Sequence, residues 1–85
     1  MTKDGFISKV KETGLDKDIQ PYTIQLNEIT DSPDVIGCGF EQGKWKVYQT
    51  VERGGHFVIK EFDDESEAYN YLYQVLLYQK KLNEQ

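Results

Sequence analysis

One cysteine, one histidine and two prolines stand in 85 residues. With Cys38 alone, no intrachain disulfide can form. No stretch approaches the ~20 apolar residues needed to span a membrane. The opening segment MTKDGFISKVKETG has no apolar run of signal-peptide length. These absences fit a reducing, bacterial-type cytoplasm. Positive charge is also scarce: ten Lys and Arg stand against fifteen Asp and Glu, for a net charge of −5. Nucleic-acid binding is not expected from such a surface, because phosphate backbones require clustered Lys and Arg. The excess of acid suits a basic protein partner, or serves solubility alone.

Catalytic constellations are equally sparse. A Cys38–His56 pair is conceivable on neighbouring strands, but Cys38 lies between glycines within a strand and reads first as a buried thiol. The glycines at 37, 39 and 43 do not follow the phosphate-loop pattern G-x-x-x-x-G-K-[ST]. The acidic run Glu61, Asp63, Asp64, Glu65 and Glu67 lacks EF-hand spacing. We therefore expect no enzyme activity, no cofactor and no metal. The acidic run is either a docking surface for a basic partner or the solvated start of a helix.

Six Tyr, four Phe and one Trp supply most of the large apolar area. A chain of this length forms one domain, spanning 1–85, and buries only about 60–65% of the surface its unfolded form exposes. Residues 2–13 place Phe6, Ile7 and Val10 on one helical face, with Gly14 as a stop. Residues 15–34 are ambiguous. Tyr22, Ile24 and Leu26 alternate as in a strand over 22–27, Ile29 falls at helical spacing, and Pro21 and Ser32-Pro33 punctuate the ends.

Three strand patterns follow, over 34–41, 45–52 and 56–62. Gln42-Gly43 and Arg53-Gly54-Gly55 form the corners between them, giving an antiparallel meander. The period of two sets Trp45, Val47 and Val51 on one face, with Tyr48 and Thr50 on the other. It sets Phe57 and Ile59 opposite Val58 and Phe62, unless a bulge near the corner shifts the register. Gly37 and Gly39 mark a bulge or the close approach of another backbone or ring.

The last segment, from residue 63, is a helix. Asp64 is its N-cap, with Glu67 three residues on. Glu65 and Glu67 near its start and Lys80 and Lys81 near its end suit the helix dipole. At ~100° per residue, Ala68, Leu72, Val75 and Leu82 form a central stripe. Tyr71 and Tyr78 flank it on one side, and Tyr69, Leu76, Tyr73 and Leu77 on the other. That apolar arc exceeds ~200°, against somewhat over 100° for an ordinary surface helix. The N-terminal helix, a second copy or another protein must cover the rest. Tyr69, Tyr73 and Leu77, with Glu61, Asp63, Asp64 and Glu65, are the expected partner-binding residues. The Tyr73–Leu77 face is the one expected to pair in a homodimer. Arg53 can fork onto a carboxylate or stand in solvent.

The stretch W-K-V-Y-Q-T-V-E-R-G at 45–54 resembles a family of small bacterial immunity proteins, cytoplasmic inhibitors encoded beside secreted polymorphic toxins. The likeness continues through a strand ending at Phe62 into E-x-E-A-Y at 65–69, and covers roughly residues 40–80. It implies a chain that binds and blocks one toxin without catalysis. Trp45, Tyr48, Glu52, Arg53 and Gly54 are the motif positions it carries over. The expected fold is α+β: an antiparallel sheet of three or four strands, a long C-terminal helix across one face and a short N-terminal helix. The expected function is occlusion of a basic toxin, and the competing one is a self-associating structural or regulatory domain.

Overall fold

Thr2 opens the first helix by accepting a hydrogen bond from the Gly5 amide, and Gly14 closes it in the left-handed region at φ 71°. The structure, a computed structural model, describes residues 1–84. The chain runs α1 (Lys3–Thr13), α2 (Leu15–Asp18), β1 (Thr23–Asn27), β2 (Val35–Glu41), β3 (Lys44–Thr50), β4 (His56–Phe62) and α3 (Glu65–Asn83). The fold is α+β, with a four-stranded sheet in the order β1-β2-β3-β4. The single turn of α2 buries Leu15 and leads into buried Ile19.

The β2–β3–β4 meander is antiparallel throughout. Gln42 and Gly43 both take positive φ, 54° and 79°, as a two-residue hairpin turn demands. At the second corner Gly54 and Gly55 lie at φ 89° and 93°, so backbone geometry accounts for both. β3 ends at Thr50, and Val51 is exposed at the start of that corner, outside the strand face expected for it.

β1 does not extend the meander. It pairs parallel to β2, with Thr23 beside Val35 and Asn27 beside Gly39. Parallel neighbours ordinarily need a crossover of about a dozen residues. Here residues 28–34 suffice because they double straight back across the sheet. Asn27 and Asp34 turn the chain at either end with φ 75° and 57°, a conformation Asn and Asp tolerate better than most residues.

Close approaches explain the two strand glycines: β1 and the Tyr48 ring at Gly37, the returning segment at Gly39. A Cβ on Gly37 would stand 2.3 Å from the Gln25 carbonyl oxygen and 2.9 Å from the Tyr48 hydroxyl. One on Gly39 would stand 2.9 Å from both the Glu28 carbonyl carbon and Ile29 Cγ1. Backbone and ring thus approach at the same place. Tyr48 pins the segment by donating its hydroxyl to the Glu28 carbonyl at 2.9 Å and accepting from the Thr30 amide at 3.3 Å.

A bulge in β4 settles the two-faced apolar pattern of that strand. Val58 pairs with Tyr48 and Lys60 with Val47, leaving Ile59 as the extra residue. The bulge lies mid-strand, away from the corner. It returns Phe62 to the α3 side, where its ring meets Tyr71 at 5.4 Å. Phe62 therefore shares a side with Phe57 and Ile59, and the simple alternation that grouped it with Val58 is corrected.

The core lies between the sheet and the helices: Phe6, Val10, Leu15, Ile19, Ile36, Cys38, Val47, Ala68, Tyr69, Leu72 and Leu76. Asp64 caps α3 as expected, accepting from the Glu67 amide at 3.3 Å. At the far end, Asn83 donates to the Asp18 and Gln20 carbonyls, both at 3.0 Å, and Lys80 reaches Asp18 at 3.5 Å.

Gly37→Ala tests the close approach of the Gln25 carbonyl and the Tyr48 ring to β2. The new methyl has no free space, so stability should fall by about 2 kcal/mol or more. Gly43→Ala, where only the positive φ is strained, should cost nearer 1 kcal/mol. Urea unfolding of both variants checks the order.

Candidate functional site

The over-wide apolar arc of α3 is covered unequally. On one flank α1 lies alongside: Phe6 packs on Tyr69 at 5.5 Å and edge-on to Tyr73 at 6.5 Å. Trp45 closes on Tyr69 from the sheet at 6.3 Å. Tyr69 is 0% exposed, so it is a core residue and is withdrawn as a docking residue. Tyr73 is half-buried, with the Lys9 ammonium over its ring. Leu77 alone of that trio stays exposed. The buried stripe runs through Ala68, Tyr69, Leu72 and Leu76, rotated towards α1 from the stripe expected on periodicity.

The opposite flank has no such cover. There α3 and the sheet enclose a groove of about 650 Å³, lined by Tyr22, Phe57, Ile59, Tyr71, Val75, Tyr78 and Leu82 together with Gln49, Gln74 and Gln79. None of these side chains is charged, although 29% of the chain is. Phe57 is 48% and Tyr78 64% exposed. Gln49 donates to the Tyr22 hydroxyl at 3.1 Å, which holds one wall. At the other end the Lys60 ammonium lies 5.5 Å from the ring centres of both Phe62 and Tyr71. Large amphipathic rings around a neutral floor are suited to recognising a protein surface. Periodicity grouped Tyr71 and Tyr78 beside the central stripe but did not single them out, because nothing in the helix pattern tells which flank α1 will take.

The acidic residues are partly engaged within the chain. Asp63 pairs with Lys44, Glu61 with Lys46 at 3.6 Å, and Asp64 serves as the cap. The hydrogen bond to Asp63 and its charge hold the Lys44 ammonium above the usual lysine range. Lys46, 7% exposed, also meets Glu41 at 3.3 Å. Glu65 is half-buried. The acidic and tyrosine residues expected to act together are thus divided between surface ion pairs and the core.

The motif positions fall into two groups. Trp45, half-buried between Phe40 at 5.1 Å and Tyr69, Tyr48 under the return segment, and Gly54 at the corner all serve the fold. Glu52 and Arg53 are exposed, and neither forms an ion pair among the described residues. Comparison of the chain with protein-family models, curated proteins and solved structures returned no match.

Cys38 and His56 do not form a pair. Cys38 is buried on the α3 side, and burial, with Glu65 adding to it, pushes its thiol up to about 11. His56 lies on the other side of the sheet, its Nδ1 2.6 Å from Asp31 Oδ1 and its ring edge-on to Tyr48 at 5.7 Å. That contact ties the return segment to β4. Among the described residues no group of three His, Cys, Asp or Glu is placed to hold a metal ion, and no helix is long and apolar enough to cross a membrane.

Tyr69 carries a buried hydroxyl with no hydrogen-bond partner among the described residues. Burial, with the nearby Cys38 and Glu65, pushes its ionisation up to about 12. Tyr69→Phe removes an unpaired polar group and keeps the ring, so stability should rise by about 1 kcal/mol. Both Cys38 and Tyr69 ionise later in the folded chain than in the unfolded one. Their ionisation therefore leaves stability unchanged below the unfolded values, near 9 and 10, and lowers it as pH rises from there to about 11 and 12. Melting temperatures above pH 9 should therefore fall less steeply in Tyr69→Phe than in the parent chain. Alkylation of Cys38 by iodoacetamide at pH 8 should require prior unfolding.

Proposed function

We propose that this protein is a non-catalytic inhibitor of the immunity type, which neutralises a toxin by seating it on the open flank of α3. One observation carries the proposal: an uncharged aromatic groove left open on a small, heavily charged protein. Aromatic residues with charge depleted between them are the composition that marks the centre of a protein–protein contact. The resemblance of residues 45–54 and 65–69 to immunity proteins supplies the class of partner.

Phe57, Tyr71 and Tyr78 would enter the contact as anchors, since buried aromatic rings supply most of the binding energy in such interfaces. The excess of acid would speed encounter with a basic toxin without adding much to the final affinity. Inhibition would then be steric, with the toxin's working surface covered by the helix and β4. The site of action would be the cytoplasm of the producing cell, where the immunity resemblance places such inhibitors.

Co-expression tests this directly. The product of the adjacent gene should co-purify with the chain, and the chain should restore growth of cells expressing that product. Tyr78→Glu should lower the affinity at least about tenfold, as loss of an interface anchor does. Its melting temperature should stay close to that of the parent, because the Tyr78 side chain is mostly in solvent. Neither complex nor rescue with the neighbouring product would remove the toxin assignment.

A further inference from the structure

The exposed ridge of α3 has a symmetry of its own. Glu67, Gln74 and Lys81 are all exposed and stand seven residues apart. At ~100° per residue they fall within about 40° of one another on the helix surface. At ~1.5 Å per residue, Glu67 and Lys81 lie about 10 Å to either side of Gln74. Neither charge has an ion-pair partner among the described residues, whereas Lys80, one position away, is bound to Asp18. Leu77 and Tyr78 are exposed along the same ridge, and Tyr71 is half-buried beside it.

We infer that a second copy of this chain covers the ridge, with the two α3 helices antiparallel about a two-fold axis at Gln74. In that arrangement Glu67 stands opposite Lys81 of the second copy, and Lys81 opposite its Glu67. Tyr71 meets the Leu77–Tyr78 stretch of the second copy, and the two Gln74 amides face each other. A two-fold contact requires one patch to complement itself. This ridge does so in charge, in apolar content and in amide pairing.

Joining β4 edge to edge is the poorer way to pair two copies. The bulge at Ile59 breaks the regular ladder, and Lys60 stands beside it; both are common protections of a free sheet edge. The helix ridge carries no comparable obstacle. The homodimer expected from sequence is thereby moved from the Tyr73–Leu77 face, which α1 partly occupies, to the Glu67–Lys81 ridge.

The inference goes beyond the inhibitor assignment and does not rest on it. The ridge and the groove share Tyr71, Gln74 and Tyr78, so the self-contact and a docked toxin exclude each other. The dimer then forms only from chains that hold no toxin.

Sedimentation equilibrium of the purified chain, without any toxin, tests the contact. A monomer–dimer equilibrium with Kd of about 10–100 μM is expected for a contact of this limited size. Lys81→Glu and Glu67→Lys should each raise Kd about tenfold, because each turns two attractions into repulsions. The double charge-swapped variant should return towards the parent value. A second measurement covers loss of folding in these variants: Gln74→Cys should form a disulfide-linked dimer on mild oxidation, while Lys9→Cys on α1 should not.

A chain that stays monomeric at several hundred micromolar would overturn the inference. So would a dimer whose double variant is no tighter than the single ones, or one that Gln74→Cys does not cross-link. Rescue of growth is scored separately, so failure of the toxin assignment leaves the dimer result intact.

Discussion

The contact of Phe6 with Tyr69 and Tyr73 decides what this protein offers to its surroundings. α3 has apolar residues around well over half its circumference, and a four-stranded sheet reaches only its underside. The helix therefore needs a neighbour on each flank. α1 is short and supplies one. The flank it takes becomes core, with Tyr69, Leu72 and Leu76 fully buried. The flank it leaves becomes the groove of Tyr71, Val75, Tyr78 and Leu82.

A second constraint holds β1 parallel to β2 at the edge of the sheet. The returning segment 28–34 passes over Gly39, which presents no side chain there, while Gly37 leaves room for the Gln25 carbonyl and the Tyr48 ring. Tyr48 fills the remaining space and satisfies the Glu28 carbonyl and the Thr30 amide. The far face of the sheet is thus closed partly by backbone, which leaves α3 and β4 to carry the open apolar surface. The His56–Asp31 contact belongs to the same closure, joining the segment to β4. The one histidine and the one cysteine are consequently on opposite faces and serve structure on each.

Surface charge plays a smaller part than the sequence suggests. Glu61 and Asp63 face lysines of β3, and Asp64 caps the helix, so the acidic run is largely accounted for within the fold. Exposed pairs of this sort contribute little stability. Their effect is to leave the neutral groove as the most distinctive feature of a charged exterior. Glu67 and Lys81, without an ion-pair partner among the described residues, stand at the ends of the ridge beside it, where they can act on a neighbour.

The local elements were legible because their causes are local. The cap at Asp64, the hairpin at Gln42-Gly43, the corner at Gly54-Gly55 and the stop at Gly14 each follow from a residue and its immediate neighbours. Gly37 and Gly39 allowed either a bulge or a close approach, and the structure shows the second; the excess apolar arc of α3 was legible outright. Tertiary structure alone decided three matters: the parallel seat of β1, the mid-strand bulge that returned Phe62 to the helix side, and the choice of flank by α1. Each depends on contacts between segments far apart in the chain, where period and propensity are silent. A helix pattern records how much surface must be covered, but not which neighbour arrives to cover it.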